Sequence, residues 1–121
     1  MFDCWTNVAW QRLDDQAMSI YSATRAFPAE ERYGLTAQMR QAAVSAPANV
    51  AEGSGREGIR DCLRFLYMAR GSLAEVEYCV HLATRLGYLQ GRDREQVVQL
   101  REEAGRTLHG PIACWENQAQ G

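Results

Sequence analysis

The stretch that decides the fold runs from Arg32 to Arg56 and reads RYGLTAQMRQAAVSAPANVAEGSGR. Small or apolar residues recur along it at alternating spacings of four and three, which is the period of a helix face packed against another helix. These residues are Met39, Ala43, Ala46, Val50 and Gly53. Because alanine and glycine let neighbouring backbones approach closely, the pattern predicts a helix in the middle of a bundle.

A second, polar stripe follows the other side of the same helix and comprises Ser45, Asn49, Glu52 and Arg56. A catalytic site would need a nucleophile beside a base, and neither histidine is nearby in the sequence. Glu52 and Arg56 have the spacing of an ion pair on one helix face. The stripe therefore predicts a structural polar network at a close helix or subunit contact, with arginine partners such as Arg56 and Arg64, and no catalytic residues.

The remaining periodicity predicts an all-α, up-down four-helix bundle in a single domain spanning residues 1–121, with helices at about 7–26, 35–53, 59–86 and 93–108. The third helix is marked by apolar residues that step by seven from Ile59 to Val80. Thr36 is expected to cap the second helix and Gly87 to end the third. Pro47 is expected to kink the second helix, and Gly110-Pro111 to break the fourth before a loose tail.

Composition narrows the class of protein. The chain has 121 residues, a net charge of −2 and no lysine among its thirteen basic residues. No run of residues is long and apolar enough to span a membrane, and the first five residues lack a signal-peptide pattern, so a cytoplasmic protein is expected. Cys4, Cys62, Cys79 and Cys114 show no metal-binding spacing. They are expected to be structural thiols, with no metal and no cofactor.

A second apolar surface remains after the core of the third helix is assigned. Its candidate residues are Phe65, Tyr78, Leu82 and Leu86, and Trp5 and Trp115 near the termini add further apolar bulk. A thick core would explain them. An oligomer interface explains them as well, because a small monomeric bundle has little reason to surround a helix with apolar residues.

Several segments resemble the family of 23S rRNA intervening-sequence proteins, to which the accessory proteins of diversity-generating retroelements are related. They are FPAEERYGLTAQMR from Phe27, AVSAPANVAEGSGR from Ala43, the tripeptide Arg64-Phe65-Leu66 and ARGSLAE from Ala69. The resemblance covers roughly Trp10 to Leu108. It implies a four-helix bundle assembled as a ring-like homopentamer, without known enzymatic activity. For the retroelement members it implies binding to a reverse transcriptase and to nucleic acid.

Two functions from different classes follow. The first is a non-enzymatic homo-oligomeric scaffold or interaction protein, favoured by the spare apolar face and the near-neutral charge. The second is an accessory protein that binds RNA or DNA with a partner such as a reverse transcriptase. Its candidate nucleic-acid contacts are Arg40, Arg56, Arg60 and Arg64. Glu57 and Asp61 lie among the last three, so ion pairs within the chain are the alternative use of these arginines.

Overall fold

The computed structural model describes residues 6–121, in which four helices are joined by short turns. The helices are α1 (Thr6–Thr24), α2 (Leu35–Ser54), α3 (Ile59–Arg85) and α4 (Gly91–Gln120), with a 3₁₀ turn at Ala29–Glu31. Each helix packs against two neighbours, in the order α1–α2–α3–α4 and back to α1. The prediction of an all-α four-helix bundle is therefore confirmed. The predictions for Cys4 and Trp5 lie outside the described residues.

The core consists of two apolar clusters, one above the other along the bundle. The first contains Leu13 of α1, Leu66 of α3, and Leu108 and Trp115 of α4. The second contains Ile20, Met39, Val76, Leu89 and Val97. Gln16 lies on α1 between Leu13 and Ile20 and is fully buried. Both atoms of its amide group lack a hydrogen-bond partner in the described structure. A polar side chain therefore interrupts the core between the two clusters.

The small-residue face of α2 brings that helix very close to α3, as the sequence predicts. Met39, Ala43, Ala46 and Val50 are essentially inaccessible to solvent. A Cβ atom placed on Gly53 would lie 3.0 Å from both the Cys62 carbonyl oxygen and the Phe65 Cβ. The bundle therefore uses glycine at this position because any larger side chain would push α2 away from α3.

Two helix ends show how the turns are stabilised. Gly87 has a φ of 78° and follows α3, as expected for the residue that ends this helix. The amide of Tyr88 then donates to the Ala83 carbonyl at 3.0 Å. The start of α2 differs from the prediction, because Thr36 is buried inside the helix. Instead, the Glu31 carboxylate accepts the Leu35 amide hydrogen at 3.0 Å and caps the first turn.

The predicted end of α4 is wrong: the helix begins at Gly91, close to the predicted start, but continues past residue 108 to Gln120. Pro111 removes one backbone donor but lies inside the helix without ending it. The residues after it explain this continuation, because Ile112 and Trp115 are buried in the first cluster. Trp115 is thus a core residue rather than spare apolar surface. Similarly, α2 continues through the buried Pro47 to Ser54. No helix in the described part of the chain is long and apolar enough to cross a membrane.

Candidate functional surfaces

The polar stripe of α2 is divided into two separate groups. In the first, the Asn49 amide donates to the Ser45 carbonyl at 2.9 Å and to its hydroxyl at 3.1 Å. The Ser72 hydroxyl of α3 lies 2.9 Å from the Ser45 hydroxyl. The sequence prediction missed Ser72, which faces α2 one position before the buried Leu73. These three partly buried side chains join α2 to α3 by hydrogen bonds, and none of them contacts an arginine.

The second group lies at the end of α2 and the start of α3. The Arg56 guanidinium lies 3.3 Å from Glu52 and 3.5 Å from Asp61. Arg64 makes a shorter contact with the same Asp61, at 2.9 Å. The Glu52 side chain is 56% exposed. Its removal would leave Arg56 with Asp61 as partner, so the loss expected from Glu52→Ala is that of a surface ion pair, below about 1 kcal/mol.

Phe65 is a candidate interface residue that the structure places inside the monomer. It is only 9% exposed. The guanidinium groups of Arg56 and Arg64 stack over its ring, with their Cζ atoms 4.7 and 4.5 Å from the ring centroid. The two arginines therefore cover Phe65 and are themselves held by Asp61 and by the aromatic face.

The four candidate nucleic-acid contacts do not form one patch. Arg56 and Arg64 come together over Phe65, whereas Arg40 lies at the contact of α2 with α1. The Arg40 Nε donates to the Thr24 hydroxyl at 2.9 Å, and its guanidinium stacks on the Tyr21 ring. Arg60 is exposed and has no ion-pair partner among the described residues. Three of the four arginines are thus engaged in contacts within the bundle.

The outer face of α3, opposite its core face, carries a row of apolar side chains. We define this outer face as the apolar residues Met68, Tyr78, Leu82 and Leu86, together with Glu75, a carboxylate that interrupts the row and accepts a hydrogen bond from Gln38 of α2 at 3.3 Å. Tyr78 is 60% exposed, and Met68 and Leu86 are each nearly half exposed. Leu82 is half-buried against the second core cluster. The residues follow one another at intervals of three, four or seven, so they lie along one side of the helix.

A second exposed apolar surface lies on α1. We define this α1 face as Trp10, Met18 and Tyr21. Met18 is 69% exposed and the two aromatic side chains are about 40% exposed. The sequence analysis did not identify this surface. The signal was present in the spacing of Trp10 and Met18, eight residues apart on the polar side of α1.

The cysteines offer no reactive thiolate among the residues with free thiols. Burial, followed by the negative charge of Asp61, raises the pKa of the Cys62 thiol. Burial and then Glu75 raise the pKa of the Cys79 thiol in the same way. Both are buried free cysteines, as predicted. Cys114 is disulfide-bonded, which corrects the expectation of a thiol there. No group of metal-binding side chains occurs within residues 6–121.

One further surface was not predicted, a groove between α3 and α4 that holds both histidines of the chain. His81 lies on its α3 side and His109 on its α4 side. The two histidines lie on different helices and far apart in the sequence. Only the packing of α3 against α4 brings them into the same groove.

The comparisons with known proteins agree with the fold. No curated protein matches the chain at a significant level. A solved structure from Bacteroides thetaiotaomicron, a protein of unknown function from the S23 ribosomal protein family, superposes with a TM-score of 0.81. The two are 21% identical over 89% of this chain and 97% of that chain, a likeness that shows the shared fold alone. The family model of the 23S rRNA-intervening sequence proteins matches residues 6–110. On this match, the chain belongs to the family of 23S rRNA-intervening sequence proteins.

Proposed function

We propose that this protein is a non-enzymatic scaffold that assembles with copies of itself. The observation that carries the proposal is the outer face of α3. A bundle helix needs only one apolar side to contribute to its core, and α3 already has one in the row from Cys62 to Ala83. The outer face is a second, largely apolar row, in which Tyr78 is 60% exposed and Leu86 is 49% exposed.

The spacing of the outer face indicates what covers it. Intervals of three and four residues are the pattern of a helix packed against another helix. The α1 face of a second copy supplies a helix with exposed apolar side chains of its own. Since these are two different surfaces, each subunit would use one surface toward one neighbour and the other surface toward the next. Such head-to-tail contacts form a ring when the rotation closes.

The ring that we propose is a homopentamer, the number implied by the family resemblance. A location in the cytoplasm is also part of the proposal. The proposed absence of catalysis is supported by the polar stripe. The Ser45 hydroxyl is engaged by Asn49 and Ser72, and no histidine or carboxylate of residues 6–121 hydrogen-bonds to it as an activating base would.

The test is the mass of the particle in solution, measured by light scattering at micromolar concentration. The monomer has a mass of 13.6 kDa. We expect a mass close to five times that value for the natural chain. The double variant Tyr78→Glu, Leu86→Glu should be monomeric, because charged side chains cannot be buried unpaired in the contact.

The control is Val8→Glu, which places one of these two glutamates at an exposed apolar residue outside both faces, and the single variant Leu86→Glu is its match in charge. Val8 is 43% exposed, close to the 49% of Leu86. Val8→Glu should keep the mass of the natural chain, and circular dichroism should show the same helix content in all four proteins. A natural chain that is monomeric at micromolar concentration would refute the proposal, as would equal dissociation of the control.

The alternative function, binding of RNA or DNA as an accessory protein, rests on the family resemblance and on arginine repeated around a ring. Repetition would strengthen a weak contact by avidity. Of the four candidates, Arg60 is the residue that forms no ion pair with the described part of the chain. If this function is correct, the logarithm of the binding constant should fall linearly with the logarithm of the salt concentration. Arg60→Gln should make the slope of that line shallower. Salt-independent behaviour of a labelled RNA would exclude it.

A further inference from the structure

The groove between α3 and α4 contains two adjoining cavities, each with a volume of about 210 Å³. Arg101 lines both of them and stands between the two. The first cavity lies toward the turn that joins the helices and has His81, Arg85 and Arg94 in its wall. The second lies toward the middle of α4 and has Arg70 and His109 in its wall.

The groove concentrates positive charge on a protein whose net charge is −2. Four arginines line the two cavities, against the carboxylates of Glu77 and Glu102. The Arg101 guanidinium is held 3.1 Å from Glu77. Glu102 forms no ion pair within the described chain. The groove therefore has more cationic side chains than anionic ones.

The first cavity contains two arginines, Arg85 and Arg94, whose charges are not paired within the described residues. Both are exposed, and neither forms an ion pair with any described residue. Arg85 is the last residue of α3, and Arg94 lies in the first turn of α4. No side chain caps the start of α4 at Gln90. The amide groups of that first turn add a positive electrostatic potential at the same end of the groove, which the Asp93 carboxylate of the same turn partly offsets.

The wall of the first cavity also has an apolar part. Val80 is 7% exposed and Val98 is partly buried against the second core cluster. An apolar surface beside a few convergent polar groups is the usual composition of a small-molecule site. The volume limits the ligand, because sites for drug-sized molecules hold roughly 300–1,000 Å³. Each cavity here is smaller than that range.

We propose that this groove binds a small phosphate-bearing anion, with Arg85 and Arg94 as its phosphate ligands. The planar guanidinium of arginine matches the oxygen atoms of a phosphate and can donate two parallel hydrogen bonds. Val80 and Val98 would contact a short organic part of the molecule. Neither residue pair belongs to the outer face of α3 or to the α1 face, so this site does not depend on the proposed assembly.

Isothermal titration calorimetry of the full chain with sodium pyrophosphate, at constant ionic strength, tests the proposal. We expect one binding event per chain. The double variant Arg85→Gln, Arg94→Gln should bind pyrophosphate roughly tenfold or more weakly, the loss expected for a hydrogen bond to a charged group. Arg94→Lys in the natural background should lose part of the affinity, because lysine keeps the charge but not the fork.

The matched control is Arg106→Gln, which removes the same charge from an exposed position of α4 that lines neither cavity. It should bind pyrophosphate like the natural chain. Equal weakening in the control would show attraction to the overall charge rather than a site, and absence of binding to the natural chain would overturn the proposal directly. A single-stranded RNA that needs Arg85 and Arg94 and is not displaced by pyrophosphate would assign the groove to a polynucleotide and would also overturn it.

Discussion

Replacing Gln16 by methionine should stabilise the protein, because the fold buries this amide without giving it a partner. Gln16 is 0% exposed, and both its amide oxygen and its amide nitrogen are buried without a hydrogen bond to the described residues. Methionine has nearly the same length and flexibility and carries no polar group. It would therefore fill the same space between the two core clusters without the cost of an unpaired amide.

The size of the effect follows from that cost. Burying an amide without a hydrogen bond costs about 1–3 kcal/mol in proteins. Removing it should raise the free energy of unfolding by about 2 kcal/mol. For a chain of this size that corresponds to an increase in the melting temperature of roughly 5–10 °C. Thermal melting followed by circular dichroism, together with urea unfolding, measures both quantities.

Two controls make the result specific. Gln99→Met introduces the same side chain at an exposed position of α4 and should change the melting temperature by little. Gln16→Glu places a charge in the core and should destabilise the fold strongly. A lower melting temperature for Gln16→Met would refute the reasoning, because it would show that the amide makes hydrogen bonds worth more than the apolar contacts of methionine.

Two further predictions concern contacts between helices. Gly53→Ala should lower the free energy of unfolding by about 1 kcal/mol, because overpacking costs more than the helix propensity gained. Gly105→Ala is the control, because a Cβ atom on Gly105 would lie 3.7 Å from the Leu73 side chain, an ordinary contact distance, and this variant should not be destabilised. Equal losses of unfolding free energy in urea titrations of the two variants would contradict the close packing at Gly53. Tyr67 donates to Glu116 at 2.6 Å, and this hydrogen bond raises the pKa of the Tyr67 hydroxyl. The contact should therefore stabilise the fold at neutral pH. This stabilisation should be lost as the pH rises from about 10, the ordinary tyrosine pKa, through the raised pKa of Tyr67 in the folded protein. Ultraviolet titration should show a tyrosine that ionises at a higher pH than an ordinary tyrosine, and its ionisation should shift to lower pH in Glu116→Gln. An unchanged titration curve in the variant would exclude the contact.

The features of the fold that were predicted correctly are those governed by local repetition. The spacing of small residues from Met39 to Gly53 predicted close packing because side-chain size acts directly on the distance between two helices. The end of α3 was equally clear, since Gly87 adopts the positive φ that glycine favours. By contrast, α4 was predicted to end too early. Proline disfavours a helix locally, and the burial of Ile112 and Trp115, which outweighs it, depends on residues of other helices.

The candidate surfaces were less predictable for the same reason. The sequence placed Asn49 and Glu52 on one stripe, but the partners of a polar side chain depend on the neighbouring helix. Ser72 therefore joined Ser45 and Asn49, while Asp61 joined Arg56. The groove between α3 and α4 combines residues that are far apart in the sequence. No spacing rule on a single helix could have placed His81 and His109 in it.

The division of the core into two clusters has a consequence for the order in which the chain can fold during synthesis. The second cluster is complete once residue 97 has been made. The first cluster contains Ala9 and Leu13 from the start of the chain, but also Ile112 and Trp115 from its end. Since synthesis proceeds from the N-terminus, one end of the bundle can close while the other waits for the last turns of α4 to leave the ribosome. Ile112 and Trp115 can therefore join the apolar residues of early α1 only after that part of α4 has been made.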